Sequence, residues 1–360
     1  MTLCPPTIGE RLAKCGRLVA VWGIVPGADV ELKINGSTVD TRNISGSSTT
    51  FELTSDLNVG DVVTARQTMG SEESLDSPGV EVGDVELPPP PPRLRPSIYR
   101  CTHRIYADGM APGSTVRLTQ MDPIEPESTQ IAEGIVNRHG FACLEPRVIR
   151  SDPIFGHVST CGTDSASSSG SNVVAAPAHL PAPIVHEPLF GCQNGMDMSG
   201  LTEGARIDIL SNGSPFAFFH TCWDGVHVNL PRQLVVNEEI AAVQTMNDPK
   251  IDCNVDGDVS SPPAIVIPPD ERIKPSIRQI LYDGDRIVRV QNQIDGAEIA
   301  ILLRDNEEDP EKTEVGRAGA SEFEEISLND PLLAGQIISV SQTLCGRTET
   351  SEEITVQPRP

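Results

Sequence analysis

Aromatic residues make up only 4% of this 360-residue chain, which excludes a single large aromatic-rich core. Positive charge is also scarce. Lys and Arg number 27 against 51 Asp and Glu, for a formal net charge of −24. A chain this acidic repels phosphate backbones, so no nucleic-acid partner is expected. No apolar run is long enough to cross a bilayer, so no membrane insertion is expected. Met1 to Cys15 shows no basic stretch followed by an apolar run, so no ordinary signal peptide is visible and the export route is left open. GxSxG elbow, P-loop and dinucleotide fingerprint are all missing, so neither an enzyme nor a cofactor is expected.

What is abundant is punctuation and repetition. The chain holds 30 Gly and 31 Pro, which favours many turns over long helices. Four segments (18–35, 105–119, 196–211 and 288–304) share one order: an apolar strand, a Gly turn, then an alternating strand. Their turn glycines, Gly27, Gly113, Gly204 and Gly296, recur at intervals of about 90 residues. A second landmark closes each repeat, at 63–69, 158–163, 242–247 and 340–347. Proline-rich joints separate the repeats: Pro88 to Pro92, then Pro177, Pro181 and Pro183, then Pro262, Pro263, Pro268 and Pro269. Such segments form semi-rigid extended spacers.

Within a repeat the hydrophobic period is two. Val30, Leu32 and Ile34 alternate with Asp29, Glu31 and Lys33, as in half-buried strands. The first repeat predicts strands near 17–23, 28–34, 38–44, 49–54, 61–69 and 77–85. That density of short strands predicts an antiparallel β-sandwich. The motifs Pro26-Gly27-Ala28 and Gly60-Asp61-Val62-Val63-Thr64-Ala65-Arg66-Gln67, with their counterparts, resemble bacterial immunoglobulin-like repeats. Two departures stand out. The second repeat lacks the Gln before its late Cys, and the fourth has Asp295 where the first has Pro26. The expected fold class is all-β: four tandem immunoglobulin-like antiparallel sandwiches, at 1–87, 93–181, 182–269 and 270–360, in an elongated array. The resemblance implies a surface, adhesive or appendage role. The expected function is a non-catalytic spacer with adhesive contacts, extracellular or at the cell surface, with a protein or glycan partner. The alternative is a carbohydrate-binding array.

Nine cysteines carry a pattern of their own. Cys101 and Cys161 open and close the second repeat, and Cys192 and Cys253 do the same in the third. Paired occurrence predicts disulfides Cys101–Cys161 and Cys192–Cys253, with free facing thiols as the alternative. The first repeat keeps only the early position, Cys15, and the fourth only the late one, Cys345.

Other clusters invite chemistry. Asp252, Asn254, Asp256 and Asp258, with Gly257, resemble half of a calcium loop, although Pro263 stands where a bidentate Glu belongs. A plain acidic turn is the competing reading, and no metal is expected. His220, Cys222, Asp224 and His227 offer zinc or Cys–His chemistry, without a second ligand pair. Ser165 to Ser171 reads as a low-complexity loop. Asn35, Asn43 and Asn212 match the glycosylation pattern but read more simply as turns. In 215–224, Phe216 and Phe218 share one strand face, and Phe219 and Trp223 fall on the other. Phe219 and Trp223 are therefore candidates for a sugar-stacking platform, against a buried contact with a neighbouring repeat.

Overall fold

The alternation read from the sequence is realised in a computed structural model. It describes all residues except 1–2, 10, 122–127, 138, 148, 150, 249–252, 261, 307–310 and 321–323. In the strand Ala28–Ile34, Ala28, Val30 and Leu32 turn inward and Asp29 turns out. The first repeat's strands run at Leu18–Trp22, Ala28–Ile34, Ser37–Ile44, Ser48–Glu52 and Val62–Met69, within two residues of expectation. Only the last expected strand shrinks, to Val80–Glu81. Among the described residues the sole helix is one 3-10 turn, Glu271–Ile273.

The sheets pair face to face as β-sandwiches, each closing on an apolar cluster. The first cluster joins Val19, Val21 and Phe51 of one sheet to Val30, Leu32 and Val63 of the other. Three similar clusters follow, around Val116 and Ile105, around Ile207 and Met198, and around Ile299 and Val288. The clusters do not respect the proline joints. Cys4 and Phe190 are buried in the cluster of the fourth sandwich, and Cys101 in that of the third.

The late landmark has a structural task. Gln67, Gln244 and Gln342 are fully buried. Each lies opposite an apolar residue of the neighbouring strand: Val30, Ile207 and Ile299. Gln342 Oε1 accepts from Ile294 N–H at 2.9 Å, and its Nε2 donates to the carbonyls of Ile273 at 2.6 Å and Asn292 at 3.2 Å. Gln67 and Gln244 each bind three backbone groups in the same way. The second repeat has Val158 at this register. Its serine run is not a loose loop. Ser168 and Ser165 hydroxyls accept from Gly156 N–H at 2.8 Å and Val158 N–H at 2.9 Å. Ser74, Ser260 and Ser351 serve the same backbone in the other repeats.

The expected disulfide pairing is corrected. Cys101 bonds Cys253 and not Cys161, and Cys192 bonds Cys345 and not Cys253. Cys15 bonds Cys161, and Cys143 bonds Cys222. The reason is geometric. The early cysteine of each repeat lies at the joint, where it faces the late cysteine of the following repeat. Cys161-Gly162 and Cys345-Gly346 form hairpin tips, with φ of 52° and 75°, and 50° and 78°.

The elongated arrangement is corrected as well, because the first and fourth sandwiches touch. Cys4 N–H donates to the Arg317 carbonyl at 2.9 Å, and Trp22 Nε1 to that of Glu325 at 3.1 Å. Thr7 and Ser327 hydroxyls bond at 2.8 Å. Asn329 receives Leu75 N–H at 2.9 Å and donates to the Leu3 carbonyl at 2.8 Å. Arg317 pairs with Glu72 at 2.6 Å. The chain exposes 17089 Å², between roughly 14,000 Å² for one compact body of its mass and roughly 20,000 Å² for four separate quarters.

Candidate functional site

A three-residue ionic cluster bridges the third and fourth sandwiches. His227, on the strand Val226–Asn229, holds a carboxylate on each ring nitrogen. Nδ1 bonds Asp197 at 2.9 Å and Nε2 bonds Asp295 at 2.5 Å. Asp197 comes from the strand Gly195–Ser199, and Asp295 from the turn of the fourth repeat. Burial works against charging the imidazole, but hydrogen bonds to Asp197 and Asp295 outweigh it and push its pKa up to about 10. The same bond from His227 holds the Asp197 carboxyl below its ordinary value, against the cost of burial. Gly195 is required beside them, since a Cβ there would run into Asp295 and His227. A cleft of about 640 Å³ opens next to the cluster, lined by Arg272 and Glu324 among others. With both ring nitrogens occupied, His227 is a cationic bridge between sandwiches, not a free base or ligand. The sequence signal for it was Asp295, the departure from the Pro26 pattern.

The zinc and Cys–His readings of 220–227 do not survive. Cys222 is bonded to Cys143, and the His220 ring lies tilted against that of His103 at 4.6 Å between centroids. Asp224 Oδ1 accepts from Leu201 N–H at 3.0 Å. The calcium loop is corrected too. Asn254, Asp256 and Asp258 alternate along one extended strand, Cys253–Val259, paired to Glu239–Asp248. A strand holds successive same-face oxygens too far apart for one ion. Asp258 instead meets His179 at 3.1 Å. Asp252 lies outside the described residues.

Phe219 and Trp223 do not make one platform. Phe219 packs against the third core. Trp223 reaches the second sandwich, edge-on to Phe141 at 4.7 Å and to Tyr106 at 5.5 Å between centroids. Phe218 stays 60% exposed, under the Arg206 guanidinium at 4.3 Å. The turn readings hold for the two Asn-Gly sites, whereas Asn43 lies within the strand Ser37–Ile44. Asn35 and Asn212 take φ of 51° and 49° at hairpin tips, and their side-chain oxygens accept from Val62 N–H and Glu239 N–H.

No protein-family model and no curated protein matches the chain. Solved structures do. The chicken CNTN1 FN1–FN3 domains match at 13% identity and TM-score 0.21, over 73% of this chain and 99% of that one. Titin domains A168–A170 match at 11% and 0.19, over 75% and 98%. The BSP domain of a biofilm-associated protein matches at 10% and 0.22, over 100% and 97%. A likeness at these TM-scores carries no argument about function.

Proposed function

We propose that this chain is a non-catalytic, disulfide-stapled structural module of an extracellular or cell-surface assembly, of the immunoglobulin-like adhesive kind. The observation that carries the reading is the disulfide register. In three successive joints the early cysteine of one repeat is bonded to the late cysteine of the next. With Cys143–Cys222 they make four disulfides, which favour an oxidising compartment, where rigid multi-sandwich bodies serve as structural parts. Closing loops of 146 to 153 residues stabilises by about 5 kcal/mol each as a ceiling. The contact between first and fourth sandwiches removes the reach a spacer needs, so the role retained is a compact module and not a rod. The engagement of His227 and of eight cysteines in structural bonds supports a non-catalytic role. Alkylation and peptide mapping of protein from its native compartment tests this. The expected result is four linked pairs with Cys4 alone as a thiol. Nine free thiols would remove the extracellular assignment.

A further inference from the structure

We propose that the trough between the first, second and third sandwiches binds a neutral oligosaccharide. Two hollows form it, of about 560 and 580 Å³, each within the size range of about 300–1,000 Å³ typical of small-molecule sites. They meet at Ser48 and Thr49. One wall runs along 43–50 of the first sandwich. The other runs along 223–233 of the third. Both hollows are lined jointly by the first and third sandwiches.

Three features of the walls select the ligand. The first is charge. Neither hollow is lined by Asp or Glu, in a chain with 51 acids among 360 residues. The two cations that do line them, His227 and Arg232, are already paired, the first with Asp197 and Asp295 and the second with Glu238. The neighbouring cleft beside His227 is lined by Glu187, Asp197, Asp295 and Glu324. A cationic ligand would find no counter-charge in the trough, and an anionic one would find His227 and Arg232 already neutralised and be repelled by the surrounding acidic surface. The second feature is hydrogen-bonding capacity. The side chains of Ser47, Ser48, Thr49, Thr50, Asn194 and Asn229 are neutral donors and acceptors, and none makes an intramolecular side-chain bond among the described residues. Neutral groups that both donate and accept suit a chain of sugar hydroxyls. The third is an aromatic pair that lines one of the hollows. Trp223 and Phe141 stand perpendicular there, at an interplanar angle of 85°. A sugar ring stacked on one aromatic face would set its C–H edge against the other. The sequence pointed to Trp223, but its companion is Phe141 of the second sandwich, not Phe219.

The inference goes beyond the structural role and does not depend on the compartment in which the disulfides form. Oxidised full-length protein would be screened on an array of neutral and of sialylated or sulfated oligosaccharides, and the hits titrated by tryptophan fluorescence. Trp22 is buried at 3% exposure, so a ligand in the trough would act on Trp223. Neutral oligosaccharides should bind and the acidic ones should not. Trp223→Ala should weaken binding about tenfold, the loss of one stacked ring. Thr50→Glu, an exposed change that brings a carboxylate to the wall, should weaken it without altering the disulfide map. Phe218→Ala, outside the trough, should leave it unchanged. Absence of any neutral hit, preference for acidic glycans, or binding indifferent to both Trp223→Ala and Thr50→Glu would each overturn the proposal.

Discussion

Single side chains decide how the sandwiches are held. Gln342 places one amide among three backbone groups that no water reaches. Replacing it by Leu keeps the volume and strands a donor and two acceptors. The expected loss is about 3 kcal/mol, since each unpaired buried group costs roughly 1–3 kcal/mol, read from the midpoint of denaturant unfolding. An unchanged midpoint would mean that the amide is not the tie it looks to be. His227 sets a pH dependence. Its folded pKa of about 10 lies above the ordinary 6.5, so its contribution is fully present below pH 6.5 and is lost as pH rises through about 10. The thermal midpoint of wild type should therefore exceed that of His227→Gln at pH 6, and the gap should close above pH 10. Gln342 was legible in the sequence as a repeating position. Its partners were not, because they are backbone groups brought together by the fold.

Turns and hairpin tips decide the joints. Gly27 and Gly113 are counterparts, with φ of 92° and 80°. A Cβ at Gly113 would overlap Gly16 across the joint, whereas one at Gly27 meets nothing within 4 Å. The pair separates backbone strain from packing. Gly27→Ala should cost about 1 kcal/mol from the left-handed conformation alone. Gly113→Ala should cost clearly more and weaken the joint between first and second sandwiches. Equal losses by calorimetry would show that the close approach carries no energy. The staples follow the same logic. Gly70 turns at the first hairpin tip where the second and fourth repeats have Cys161 and Cys345, and its φ is 63°. The sequence showed a first repeat with only an early cysteine and a fourth with only a late one. Pairing within repeats leaves Cys15 and Cys345 stranded, while pairing from each repeat to the next uses them both.

At the scale of the whole molecule, one contact sets the shape. An end-to-end rod of four such units would have a radius of gyration of about 40 Å, and a compact body about 21 Å. Contact between the first and fourth sandwiches places the expected scattering value near the lower figure. That contact has no disulfide, so packing, hydrogen bonds and the Arg317–Glu72 ion pair must hold it. Gly319 sits within it, against Ile24, Ser47 and Pro26. Gly319→Val should force the two sandwiches apart. The radius of gyration should rise while the far-ultraviolet spectrum stays unchanged. A wild-type value near 40 Å would mean that the contact does not hold in solution.

The sequence by itself determined the strands, their alternation and the fourfold repetition. These depend on which way successive side chains point, a property of neighbours within a few residues. It also marked the residues that depart from the pattern, Asp295 and the unequal cysteines. Tertiary structure alone decided how those residues are used. Asp295 meets His227, Cys101 meets Cys253, and Trp223 meets Phe141 across surfaces that lie far apart along the chain. It also brought the first sandwich against the fourth. The physical reason is that such contacts depend on the shape of two finished faces, whereas periodicity needs only the chirality and spacing of the backbone.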